Sequence, residues 1–312
     1  MAPEKLKHKT VTELNAKPDF LLIGAARSGT TWLYQRLVSH RGLFVTPVKE
    51  LHYFDIQRAY PLWHWIRVRR FVLHIRRFFQ YFFKKDRLES SSWLLKWASR
   101  YFLMPKTHSW YRSLFKDEFG RLAGELTPSY SLLDENEVRE IYKINPDVKI
   151  IYQMRDPVDR AWSQIVMHLG LHRRAGDDFT EYMDEIREVM KRDEIVDRSM
   201  YTMTIDTWEK VFGQGQICYL FFDEILEEPA EMLKRLFTFL EVDADEQVFQ
   251  EKLRQKVAAR DTKGKAMPLE VEYELAKQFL PMLKTLEQRF DNNYTRQWLE
   301  RAQNVVEPVV IQ

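Results

Sequence analysis

"FLLIGAARSGTTWLYQRL", residues 20–37, sets a strand, a glycine-bounded loop and a helix in direct succession. The apolar run "FLLIG" reads as a buried strand. Gly24 and Gly29 let the chain turn sharply and bring backbone N–H groups close to an anion. The helix opening near Thr30 adds unpaired donors and the positive end of its dipole. Arg27 supplies a fixed charge, and the hydroxyls of Ser28, Thr30 and Thr31 can donate to phosphate oxygens. A nucleoside-triphosphate loop would read G-x-x-x-x-G-K-[S/T]. Gly24 and Gly29 keep that spacing, but Thr30 stands at the lysine position, so triphosphate hydrolysis fits poorly.

The remainder of the chain supports a folded α/β protein. It has 312 residues, 45% hydrophobic and 30% charged, enough for a substantial core in a single domain over 1–312. Net charge is +2, from 48 basic and 46 acidic residues, so the total balance points to no nucleic-acid partner. The single cysteine, Cys218, excludes an intramolecular disulfide and sits in the apolar run "ICYLFF", which suggests a buried thiol. No His/Cys cluster suggests a metal. The N-terminal stretch 1–17 is polar, is expected to be flexible, and lacks the apolar core of a secretory signal. No run of 18 apolar residues suggests a membrane span. A cytoplasmic enzyme of bacterial type is the expectation.

Strands are expected at 20–24, 122–126, 148–154 and 216–222, with helices at 31–39, 135–144, 157–169, 178–192 and 230–240 and a helical C-terminal part from Leu269. That alternation argues for a parallel sheet with helices on both faces. A second basic site follows the strand "VKIIYQM": Arg155 stands just past its end, Asp156 and Pro157 open a helix, and Ser163 lies on it. Ligands of open α/β sheets bind at the carboxyl ends of strands, so Arg155 and Ser163 could face the first loop. Two anion sites suit a nucleotide with phosphates at two places.

Together these motifs resemble the sulfotransferases that use 3′-phosphoadenosine 5′-phosphosulfate (PAPS) and release adenosine 3′,5′-bisphosphate (PAP). "ARSGTTWL" resembles their 5′-phosphosulfate loop, with Arg27 in place of a lysine, and implicates Ser28, Gly29, Thr30, Thr31 and Trp32 in cofactor binding. "RDPVDRAWS" resembles the 3′-phosphate site and carries that role to Arg155 and Ser163. "DTKGKAMP" resembles a late loop that closes over the nucleotide, implicating Lys263, Gly264 and Lys265. The resemblance implies a P-loop-like sulfotransferase fold. "PVKELHYFD", 47–55, is similar to a segment of the heparan sulfate N- and 3-O-sulfotransferase branch, where the glutamate is the proposed base. On that resemblance Glu50 takes the proton from an acceptor hydroxyl or amine, His52 orients Glu50 or acts as the base itself, and Arg27 stabilises the developing charge. On a strand-like stretch Glu50 and His52 would point to one side. "GELTPSYS", 124–131, departs from the branch: Leu126 replaces a lysine placed near the reacting sulfate, and Arg27 or Lys49 would have to supply that charge.

Residues 60–102 interrupt the alternation as a basic aromatic helical insertion. Val68, Phe71, Val72, Ile75, Phe78, Phe79 and Phe82 recur at helical spacing among arginines and lysines. Three uses stay open: a lid, attachment of 60–85 to an anionic membrane surface, and an anionic-saccharide groove with Trp63, Trp65 and Trp93 as stacking platforms. A saccharide, lipid-linked or other small-molecule acceptor is expected. The rival readings are a non-catalytic PAP- or PAPS-binding protein on the membrane surface and a nucleotide-dependent kinase.

Overall fold

The computed structural model describes residues 16–55, 75–76, 91–116, 120–171, 179–245, 248 and 266–307. The 1–15 stretch, most of the insertion between 56 and 90, and the 261–265 part of the late loop lie outside the described residues.

Five parallel strands form one sheet: β1 (Phe20–Gly24), β2 (Leu43–Val45), β3 (Leu122–Leu126), β4 (Lys149–Met154) and β5 (Ile217–Phe221), in the order β2-β3-β1-β4-β5. Alternate residues of β1 go to opposite faces, as the pleat requires. Leu21 and Ile23 join Ile150 and Tyr152 in one core layer, and Phe20 and Leu22 join Ile151, Cys218 and Leu220 in the other. Helix α1 (Thr30–Ser39) packs Leu33 and Leu37 into the second layer. On the first face lie the helices at Glu135–Ile144, Pro157–Leu169, Tyr201–Phe212 and Leu269–Phe290.

The expected strands and most helices are present within a residue or two. The strand β2 was not anticipated; three residues are too few to show a period. The expected helix at 178–192 is shorter: a 3-10 turn at Thr180–Tyr182 precedes an α-helix at Met183–Met190. Helix α2 (Ser91–Leu103) closes the insertion, and its Trp93 and Trp97 are buried against Phe44, Trp110 and Tyr111 beside β2. Trp93 therefore cannot serve as an exposed stacking platform; it is a core residue, 1% exposed.

Candidate functional site

The strand order puts the loops after β1 and β4 side by side at the carboxyl edge of the sheet, with the segments after β2 and β3 beyond them. Gly29 caps α1 at φ 81°, in the left-handed region. A Cβ there would come within 2.9 Å of Ile225 and 3.0 Å of Phe222, so the turn needs glycine for both conformation and space. The tight turn aims the first N–H groups of α1 at the space above β1.

Ser28 is fully buried in this loop, and its Oγ has no hydrogen-bond partner among the described residues. The Nε of Arg155 is buried and likewise has none. Buried donors in that condition are costly without a ligand, and both fit an anion. The Arg155 guanidinium lies 4.7 Å from the Phe222 ring centre and donates from Nη1 to the Arg27 carbonyl at 3.3 Å. Arg27, at φ 73°, turns its side chain across to the helix α3 (Pro157–Leu169), where Nε and Nη2 donate to Ser163 Oγ at 3.1 and 3.0 Å. The two anion-binding segments expected from the sequence are thus tied to each other. Ser163 joins the cluster through Arg27.

The second half of the site comes from the segment after β2. Its backbone is anchored where Glu50 N–H donates to the Leu126 carbonyl at 3.0 Å. It is not extended: Glu50 and His52 have φ of 64° and 52°. The strand-like geometry is therefore corrected, yet the two side chains still meet, with His52 Nε2 3.8 Å from Glu50 Oε2. His52 Nδ1 lies 2.7 Å from Asp55 Oδ2, which also accepts from Ser129 Oγ at 2.5 Å. Burial pushes the Asp55 carboxyl up, but the hydrogen bond and charge of His52 and the Ser129 hydroxyl together outweigh it and hold the group below its ordinary value. An ionised Asp55 accepts the hydrogen bond of Nδ1–H, so Nε2 is the nitrogen that faces Glu50. Lys49 connects the halves: Nζ donates to Thr31 Oγ1 at 3.0 Å and lies 3.7 Å from Glu50 Oε1.

Beneath this segment a fully buried carboxylate, Glu125, accepts from Tyr111 (2.6 Å), Tyr130 (3.1 Å) and Thr127 (2.7 Å). Tyr130 Oη in turn accepts from Tyr53 N–H at 3.0 Å, and the Tyr53 ring stacks on Tyr111. Below the other half, the buried Arg160 donates to Ser199, Gln164 and the Ile195 carbonyl and reaches the Ala26 carbonyl of the loop. Burial lowers its pKa to about 10, which still leaves it charged at neutral pH. Asp156 caps α3 and meets Arg301 of the C-terminal helix (Asn293–Val306) at 3.0 Å. Sequence reasoning missed Ser129, Glu125 and Arg160. The carboxylate of "GELTPSY" was visible as a motif residue, but the tyrosine set that holds it comes together only in the fold.

Thr30, Thr31 and Trp32 stand on the first turn of α1 as expected, with Thr30 and Trp32 buried. Lys263, Gly264 and Lys265 lie outside the described residues. Among the described residues no cluster of His, Cys, Asp and Glu could hold a metal ion, and no helix is long and apolar enough to cross a membrane.

Residues 18–246 match the model of the sulfotransferase family, and the chain belongs to that family. It is 28% identical over 137 residues to human heparan sulfate glucosamine 3-O-sulfotransferase 6, a match covering 42% of this chain and 39% of that protein. It is 23% identical over 239 residues to mouse heparan sulfate glucosamine 3-O-sulfotransferase 5, covering 75% of this chain and 55% of that protein. The chain thus spans well under two thirds of the curated relatives it matches. A sulfotransferase structure from Alicyclobacillus acidocaldarius superposes with a TM-score of 0.60 at 22% identity, covering 91% of this chain and 99% of that one. At that identity it bears on the fold, which is that of the sulfotransferases.

Proposed function

We propose that this protein is an enzyme that transfers the sulfuryl group of PAPS to a hydroxyl or amine of a carbohydrate-type acceptor, releasing PAP. The observation that carries this reading is one arrangement. Two anion-binding segments follow adjacent strands, joined by Arg27, and across Lys49 they face a carboxylate–imidazole pair. The orphaned Ser28 Oγ and Arg155 Nε support this reading, since both are donors suited to an anionic nucleotide.

Gly29, Thr30 and Thr31, with the N-terminus of α1, would hold the 5′-phosphosulfate; Arg155 and Ser163 would hold the 3′-phosphate. Trp32 supports the helix from its buried side. PAPS supplies an activated sulfuryl group and, in PAP, a stable leaving group. Glu50, partly exposed beside the cradle, takes the proton of the attacking acceptor. His52, oriented by Asp55 and Ser129, faces Glu50 with Nε2, and as an imidazolium it pairs with the Glu50 carboxylate from the other side. The loop N–H groups stabilise negative charge on the departing phosphate, and Arg27, whose guanidinium reaches Ser163, adds its charge from the β4 side. Lys263, Gly264 and Lys265 would close over the nucleotide, in keeping with the family motif.

A saccharide acceptor is favoured by relatives named for glucosamine of heparan sulfate. The test is incubation with PAPS and a panel of heparan-type oligosaccharides, with sulfated product read by mass spectrometry. Glu50→Gln should lower turnover by about 10²–10⁴-fold, the usual worth of a general base, and leave PAP binding intact. Equal turnover by wild type and Glu50→Gln would remove Glu50 from the chemistry. PAP binding without turnover of any acceptor in wild type would favour a binding protein.

A further inference from the structure

The cations of the site are distributed unevenly. Arg27 points its guanidinium away from Glu50, towards Ser163 and Met167 on α3. Arg155 lies against Phe222 and reaches Asp159 at 3.6 Å, also on the β4 side. Between the cradle and Glu50 stands Lys49. Its Nζ touches the Thr31 hydroxyl on the first turn of α1 and comes within 3.7 Å of Glu50, and its side chain is only 12% exposed. The stem passes beside the Tyr34 ring, 5.8 Å from Nζ to the ring centre, which limits where the amine can swing.

In-line transfer requires the reacting group to lie between the anion cradle and the base that serves the attacking atom. Nζ of Lys49 borders that same space on both sides. A half-desolvated ammonium there acts on charge more strongly than one in water. The side chain at Leu126, where the family resemblance would put a lysine, is fully buried in the core and carries no charge.

Resting on the sulfotransferase reading above, we infer that Lys49 contacts the sulfonate of PAPS and not its phosphates, making it the residue that distinguishes the charged substrate from the product PAP. As the acceptor attacks sulfur and the bond from sulfur to the bridging phosphate oxygen breaks, the electron pair goes to PAP and the proton to Glu50. Lys49 holds the sulfonate oxygens through that exchange.

Calorimetric titration of the full chain with PAPS and, separately, with PAP tests this on wild type, Lys49→Met and Lys49→Arg. Losing one charge-assisted contact should weaken PAPS binding by Lys49→Met about tenfold. PAP binding should change by less than about threefold, and Lys49→Arg, which keeps the charge, should recover most of the PAPS affinity. Equal weakening of both ligands by Lys49→Met would mean that Lys49 only props the loop through Thr31, and would overturn the inference. So would unchanged binding of both. Failure of the wild type to bind either nucleotide would instead overturn the sulfotransferase reading, and the inference with it.

Discussion

Glu125 offers a buried lever under the site, and Glu125→Ala tests what it holds. Removing the carboxylate strips the hydroxyls of Tyr111, Tyr130 and Thr127 of their acceptor, and all three residues are fully buried. Each stranded buried donor costs about 1–3 kcal/mol, so the three together cost about 6 kcal/mol. An unfolding entropy of about 2.1 cal/mol/K per residue over 312 residues makes each kcal/mol worth about 1.5 °C. The melting temperature should therefore fall by about 9 °C, read by circular dichroism. Because Tyr130 receives the Tyr53 N–H and Tyr53 stacks on Tyr111, the segment carrying Glu50 and His52 loosens as well. Turnover should drop while PAP affinity, set by the loops after β1 and β4, holds. Glu125→Gln keeps an acceptor for both tyrosines and should cost only about 1 kcal/mol, for the Thr127 hydroxyl that must turn. Burial raises the Glu125 carboxyl, so its contribution to stability is full below the unfolded value near 4.5 and is lost as pH rises through the folded value. The advantage of wild type over Glu125→Gln should accordingly shrink from pH 4.5 upwards. A Glu125→Ala protein as stable as wild type, or a glutamine variant as damaged as the alanine one, would refute this reasoning.

Two further outcomes follow from neighbouring residues. Asp55→Asn removes the charge that orients His52 but leaves the nucleotide loops untouched; kcat should fall by about tenfold or more with the PAP dissociation constant unchanged, as steady-state kinetics beside calorimetry would show. Burial, with the charge of Asp159 adding to it, raises Asp156 to about 6 even though Arg301 opposes the shift, so its contribution to stability is full below about 3.8 and is lost as pH rises through about 6. Arg301→Gln moves that folded value higher, so urea midpoints should show the variant losing more stability at pH 8 than at pH 5.

Much of this was legible in the sequence because the deciding signals are local. The run 20–37 states its strand, turn and helix within eighteen consecutive residues, and "RDPVDRAWS" carries its own N-cap and proline. What was not legible depends on packing between distant segments. Nothing near Arg27 says that its guanidinium reaches Ser163, 136 positions on, or that Glu125 collects Tyr111 and Tyr130. The left-handed backbone at Glu50 and His52 broke the expected strand geometry, since no glycine marks it; the meeting of their side chains follows from the anchor on Leu126. Trp93 was ambiguous because an aromatic on an amphipathic helix can face core or solvent, and β2 with its neighbours decides for the core.

The most direct measurement is calorimetric titration of wild type and Arg155→Ala with PAP, AMP and ATP with magnesium. If the loops after β1 and β4 form one site for a nucleotide with phosphates at two places, wild type binds PAP well and AMP and ATP poorly. Arg155→Ala should then lose PAP affinity by about tenfold to a hundredfold, the worth of one charge-assisted contact. Preference for ATP with magnesium, or PAP affinity indifferent to Arg155, would contradict it.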